Sequence, residues 1–276
     1  MATEKTPSGT RLTWKTWGIG ALVALLALLD LASLLLPALG SDAASQPATG
    51  TVLPHTAPRN HQPVPHAQQD STSADWSGYA RTGGAYTSVS GTWTQPSVTC
   101  SARQTAYAAF WVGLDGDTST TVEQLGTESD CSRGTPTYST WYELYPANPV
   151  TIEQPVTAGD TLSASVTATG SGGFTLTLSD TTQGWTFTTT GTVTDAQLSS
   201  AECIAEAPSD GRRTLPLADF GTVTFSQCTA NGAPISANPN VDAIALTTPR
   251  GVVEAQPSIL SAGGASFSVT VQPSGA

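Results

Sequence analysis

Carboxyl and amide side chains recur at even spacing beside tryptophan in this chain. Side chains alternate across an extended backbone. In Ala109–Gly126 this puts Trp111 and Asp115 on one face and Phe110, Val112 and Leu114 on the other. After a glycine-rich turn, Val122 and Gln124 share a face, with Glu123 and Leu125 opposite. The run Tyr138–Tyr145 repeats the pattern, with Trp141, Glu143 and Tyr145 together against Tyr142 and Leu144. In Ala201–Glu206 the same alternation groups Glu202, Ile204 and Glu206. Apolar anchors on one face explain why such strands fold. An acid beside an aromatic on the other face is costly to bury for packing alone. It suits a groove in which carboxylates move protons and an amide donates hydrogen bonds. The plainer reading, aromatics that merely pack and acids that are solvated, serves for any single residue. The acid–aromatic alternation, repeated at Trp111 with Asp115 and at Trp141 with Glu143, favours the groove for the set.

The charge distribution removes other chemistries. From Ser71 onward there are six Arg, seventeen Asp plus Glu, and no Lys or His, a net of −11. Such a surface repels nucleic acid and anionic lipid. Without His, this region cannot assemble a Ser-His-Asp triad, a Cys-His pair or a His-ligated zinc site. The chemistry must come from carboxylates, amides, hydroxyls or thiols, and it calls for no metal and no cofactor.

The elements that would position these groups are strands. The chain has 26 Gly, 19 Pro and only 11% charged residues. Threonine-rich alternating runs such as Phe174–Ser179 and Trp185–Thr190 read as β. No stretch after residue 40 has a helical period with caps. Strands are expected at Trp76–Tyr79, Ser88–Thr94, Tyr138–Tyr145, Leu162–Ala168, Ala201–Glu206, Leu217–Phe225 and Ser266–Val271, among roughly a dozen. That number with short turns predicts an all-β fold of two packed antiparallel sheets, a β-sandwich of the jelly-roll or concanavalin-like kind. Its concave face would take an extended ligand, lined by Trp111, Asp115, Gln124, Trp141, Glu143, Glu202 and Glu206.

Three regions are expected. Residues 1–40 carry Lys5, Arg11 and Lys15 before an apolar run, Trp17–Leu39, broken only by Asp30. This is either a cleaved secretory signal or an uncleaved N-terminal anchor, and both place the rest outside the cytoplasm. Residues 41–72 are rich in Pro, Ala, Gln, Thr and His, with His55, His61 and His66 the only histidines in the chain. They read as a disordered linker or a short pro-segment that could hold its histidines over an acidic cleft. Residues 73–276 form the β domain, expected to act as a monomer. Cys100, Cys131, Cys203 and Cys228 all lie in the exported part, and an even count there favours two disulfides. The sequence leaves three connectivities open. Pairing of neighbouring segments suggests Cys100–Cys131 and Cys203–Cys228.

Together, Trp111-Val-Gly-Leu-Asp-Gly116, Gln124-Leu-Gly126, Trp141-Tyr-Glu143, Ala158-Gly-Asp160 and Ala201-Glu-Cys-Ile-Ala-Glu206 resemble the glutamic peptidases, or eqolisins. The resemblance runs from about Trp76 to Phe225. It implies a secreted, acid-acting endopeptidase on a β-sandwich, taking polypeptide substrates. It implies Gln124 and Glu206 as the catalytic pair, with Glu202 supporting and Trp111, Asp115, Trp141 and Glu143 lining the cleft. Three positions depart from the family pattern. Cys203 replaces a usual aromatic, while Ser139 and Glu128 stand where some members have Asp. Two other readings remain at this stage. A jelly-roll glycoside hydrolase could use Glu143 and Glu206 as its two carboxylates. A non-catalytic carbohydrate-binding module would bind without turnover.

Overall fold

The structure, a computed structural model, describes residues 69–273 except 118 and 211. The leader and most of the linker therefore lie outside the described residues. No helix among the described residues is long and apolar enough to cross a membrane.

Sixteen strands follow one another in the described chain. The first eight are β1 (Gln69–Ser73), β2 (Trp76–Arg81), β3 (Ser88–Thr94), β4 (Ala109–Leu114), β5 (Val122–Ser132), β6 (Thr135–Tyr145), β7 (Val150–Ile152) and β8 (Thr161–Gly170). The others are β9 (Gly173–Asp180), β10 (Trp185–Thr192), β11 (Ala201–Glu206), β12 (Thr222–Ala230), β13 (Ala233–Pro234), β14 (Val241–Thr247), β15 (Val253–Pro257) and β16 (Phe267–Val271). Hydrogen bonding links them in the order β10-β9-β8-β3-β12-β16-β15-β14-β2-β11-β4-β5-β6-β7, with β1 parallel to β14 and every other pairing antiparallel.

This path doubles back on itself, so strands from its two halves face each other. The Trp93 indole on β3 donates to the Thr127 hydroxyl on β5 at 3.0 Å. Tyr79 on β2 meets Phe267 on β16 edge-on, and Tyr142 on β6 stacks on Phe187 on β10. Between the halves lies one core, built from alternate residues such as Val89 and Trp93, Phe110, Val112 and Leu114, Leu162 and Val166, and Phe174, Leu176 and Leu178. Each fully buried Leu or Phe contributes roughly 2 kcal/mol. The strand alternation expected for Ser88–Thr94 is met in β3, whose residues are half-buried and buried in turn. The strands β4 and β11 differ, since all six residues of each are buried.

Three expectations shift. A short strand, β1, precedes Trp76 and extends the sheet by pairing with β14. The strand expected at Leu217–Phe225 begins instead at Thr222. Gly221 has φ of 65°, in the left-handed region, and its N–H donates to the Asp219 carboxylate, so a turn interrupts the extended run. The cysteines divide. Cys100 and Cys131 form a disulfide with their Cα atoms 5.6 Å apart. Cys203 and Cys228 do not; both are buried free thiols. They belong to strands in opposite layers, β11 and β12, and meet across the core beside Gly91. A Cβ at Gly91 would lie 3.3 Å from one sulfur and 3.5 Å from the other. They pack there as small apolar groups. Burial, and then the neighbouring Cys228 sulfur, push the Cys203 thiol well above its ordinary pKa.

Candidate active site

Register builds the site from five neighbouring strands. Across β2, β11, β4, β5 and β6, one row holds Trp76, Glu206, Ala109, Glu128 and Ser139. The next row on the same face holds Gly78, Ile204, Trp111, Gly126 and Trp141, and the third holds Ala80, Glu202, Gly113, Gln124 and Glu143. Thus Trp111, Gln124, Trp141, Glu143, Glu202 and Glu206 share the face opposite the core. A slip of one residue in any strand would turn its polar set into the core.

Small residues make room for the large ones. Gly126 sits between Trp111 and Trp141, and a Cβ there would strike the Phe110 carbonyl and the Trp111 side chain. A Cβ at Gly113 would come within 2.8 Å of the Trp111 ring and 3.2 Å of the Gln124 Cβ. Trp76 meets Trp111 edge-on, with ring centroids 4.8 Å apart. These tryptophans, with Ile204, Ile244 and Val122, make an apolar floor under the polar groups.

Two hydrogen bonds orient the chemistry. Trp111 Nε1 donates to Glu206 Oε2 at 2.8 Å, and Gln124 Nε2 donates to Glu143 Oε2 at 2.8 Å. The first holds one carboxylate oxygen of Glu206. The second uses one of the two amide protons of Gln124 and leaves the other to be aimed elsewhere. Farther along, Ser139 Oγ donates to Glu128 Oε2 at 2.8 Å. Asp130, on the same face of β5, accepts from the Ala108 N–H. Burial, followed by the charge of Glu128, lifts the Asp130 carboxyl well above the usual range. The phenol of Tyr107 is also raised, by its own burial and then by Asp130 and Glu128.

Glu202 lies in the same row as Gln124 and Glu143, whereas Asp115 lies beyond the end of β4. Glu202 is fully buried, and that burial pushes its carboxyl well above the ordinary range, with Asp117 and Asp115 adding to the effect. Asp115 lies just beyond the end of β4 with φ of 66°, so strand alternation no longer governs it. Its Oδ2 accepts the N–H groups of Gln197 and Leu198, and its Oδ1 accepts the N–H and hydroxyl of Ser199. Asp115 thus clamps the loop that leads into β11. Sequence reading gave no role to Trp76, Asp130 or Asp242. Asp130 was within reach, since it shares the parity of Gln124 in β5. Asp242 needed the sheet order, which brings β14 beside β2 and lets Ser71 Oγ donate to it. Among the described residues, no group of three or more His, Cys, Asp or Glu side chains is arranged to hold a metal ion.

Comparison with known proteins gives this site a class. The family model described as the Peptidase A4 family matches residues 74–263. Aspergillopepsin-2 of Aspergillus niger is 32% identical over 195 residues, covering 61% of this chain and 68% of that protein. Scytalidopepsin B of Scytalidium lignicola is 30% identical over 177 residues, covering 61% of this chain and 58% of that protein. A crystal structure of scytalido-glutamic peptidase with a peptide-based transition-state analogue superposes with a TM-score of 0.61 at 26% identity. It covers 72% of this chain and 98% of that one. Fold and sequence together define a peptide hydrolase on an antiparallel β-sandwich. The chain belongs to the Peptidase A4 family, the glutamic peptidases or eqolisins.

Proposed function

We propose that this protein is a secreted endopeptidase that cleaves polypeptides in acid with a Gln124–Glu206 dyad. The observation that carries the proposal is the pair of oriented side chains on one sheet face. Glu206 is held by Trp111 Nε1, and Gln124 is held by Glu143. A substrate in extended form would lie over this face. The solved relative noted above carries a peptide-based transition-state analogue, which supports a peptide as the ligand.

In the reaction, ionised Glu206 takes a proton from a water as that water attacks the scissile carbonyl. The unused Gln124 N–H donates to the oxygen as it becomes an oxyanion. An amide does not titrate, so this donor persists at any acidity. Protonated Glu206 then gives its proton to the departing amine, and the carbon–nitrogen bond breaks. Trp111 fixes the direction of the Glu206 carboxyl, and Glu143 fixes that of the Gln124 amide. The Cys100–Cys131 disulfide supports export, since such bonds persist in oxidising compartments.

The test follows peptide release from an unfolded protein substrate between pH 2 and 7, with and without a chelator. Wild type should cleave with an acid optimum, unaffected by the chelator. Gln124→Ala should lose roughly 100- to 1,000-fold in kcat, the usual effect of removing an oxyanion donor. Glu206→Gln should lose at least as much. Full activity in either variant, from protein shown to be folded, would defeat the dyad.

A further inference from the structure

The Ala158-Gly-Asp160 motif lies outside the three cleft rows, yet its carboxyl is built into the fold. Asp160 is 4% exposed, and Asp180, the last residue of β9, is 1% exposed. Asp160 Oδ2 accepts the Thr157 N–H at 2.7 Å, the Thr157 hydroxyl at 3.0 Å and Gln183 Nε2 at 2.8 Å. Asp180 Oδ1 accepts the N–H groups of Thr182 and Gln183 at 2.8 and 2.9 Å. Gln183 thus joins both carboxyls, one through its side chain and the other through its backbone. The second oxygen of Asp180 is buried and meets no N–H or hydroxyl donor. Its hydrogen-bonding neighbour is the Asp160 side chain. Two carboxyls hydrogen-bond to each other only when one of them carries a proton.

We propose that Asp160 and Asp180 form an acid latch. In acid a shared proton holds residues 153–160 against the β8–β9 pair, and its loss toward neutral pH releases them together with the edge strand β7. The latch is separate from the Gln124–Glu206 dyad and does not depend on it.

Placement gives the latch its reach. Residues 153–160 run from β7, at the edge of the site-bearing strands, to β8 in the other layer. In β7, Thr151 lies opposite Trp141 and Ile152 opposite Thr140. The Thr140 hydroxyl donates to the carbonyls of Ile152 and Gln154, and Trp185 Nε1 donates to that of Pro155. At the latch itself the Gln95 N–H donates to the Asp160 carbonyl, and the Thr181 N–H donates to that of Thr161. An edge strand of three residues has few contacts of its own, so it opens when the segment after it is freed.

No cation is built in to neutralise the pair. Between Arg133 and Arg212 the chain has no Lys, Arg or His. Around the two carboxyls, β3, β8, β10 and residues 181–184 carry no titratable side chain, and β9 carries Asp180 alone. The 153–160 segment adds Glu153, which is exposed and is another carboxyl. Across the core, β4 has no titratable group, and β5 meets this end of β3 with Thr127 and Ser129. From β6 the core side receives the phenols of Tyr138 and Tyr142, which are neutral through the acid and neutral range. Two ionised carboxyls here would repel without compensation. Burial raises the Asp180 carboxyl and the charge of Asp160 adds to this, against the lowering effect of the Gln183 and Thr182 N–H groups. The stabilisation is therefore complete below the ordinary carboxyl range and is lost as pH rises through the raised value.

The experiment uses the full chain carrying Gln124→Ala to prevent self-digestion, beside the same chain with Asp180→Asn. The asparagine amide keeps a donor toward Asp160 at every pH. Hydrogen exchange with mass spectrometry, corrected for the intrinsic rate at each pH, follows peptides covering residues 150–160 and 181–185 from pH 3 to pH 7. In the parent, exchange there should accelerate by up to roughly tenfold for each pH unit through which the pair titrates. In the variant it should stay level, and β4 peptides should behave alike in both chains. Asp160→Asn removes the other carboxyl and should level the profile as well, so it carries the test if Asp180→Asn does not fold. The same acceleration in parent and variants, or a level profile in the parent, would overturn the latch. The readout involves no catalysis, so failure of the latch and failure of the dyad are seen separately.

Discussion

Glu123 offers a test in which the structure fixes both sign and size. It lies on β5 next to Gln124, but on the opposite face, with its carboxyl turned toward the core and fully buried. Burial, and then the charge of Asp115, raise its pKa from 4.5 to about 8, with the Thr121 hydroxyl offsetting part of this. Folding therefore favours the protonated form. The contribution of this carboxyl is intact below pH 4.5 and is lost progressively as pH rises toward 8. At 1.36 kcal/mol per pH unit the full loss is roughly 5 kcal/mol, and about 3 kcal/mol of it is reached by pH 7. Glu123→Gln keeps the shape and removes the titration. Denaturant or thermal unfolding of both chains at pH 3 and pH 7, each carrying Gln124→Ala to prevent self-digestion, would measure the difference. At pH 3 the two should agree within about 1 kcal/mol. At pH 7 the variant should be the more stable by about 3 kcal/mol, roughly 6–12 °C in Tm for a domain of this size. An equal offset at the two pH values, or a variant less stable at pH 7, would refute the reasoning.

Two further outcomes follow from named contacts. Trp111→Phe keeps an aromatic floor but removes the N–H that holds Glu206. A hydrogen bond to a charged group is worth about 1.5–3 kcal/mol, so kcat should fall roughly 10- to 100-fold with KM nearly unchanged. A matching rise in KM would assign Trp111 to substrate binding instead. Asp115→Ala removes the acceptor of four donors in the loop before β11. It should lower Tm by several degrees, with a loss of at least 2 kcal/mol in stability. An unchanged Tm with a raised KM would assign Asp115 to the cleft lining instead.

Much of this protein is set by local pattern. Side chains in a strand alternate strictly, so the two faces of Ala109–Leu114, Tyr138–Tyr145 and Ala201–Glu206 could be read without knowing what lay beside them. The absence of Lys and His after Ser71 likewise narrowed the chemistry to carboxylates and amides by composition alone. What alternation cannot give is neighbours. That Glu206 meets Trp111 rather than Gln124, and that Gln124 meets Glu143, depends on the register of β11 on β4 and of β5 on β6. Register is a property of paired strands, fixed by long-range packing. The partners of Asp115 were hidden for the same kind of reason, since its backbone leaves the strand just after Leu114 and a distant loop supplies them. Cys203 and Cys228 lie 25 residues apart in the chain, yet the layered fold puts them in opposite sheets, where they pack as thiols. Sequence determined which residues could face a cleft; only the tertiary structure decided which of them touch, because contact across a sheet is set by which strands become neighbours and not by spacing along any one of them.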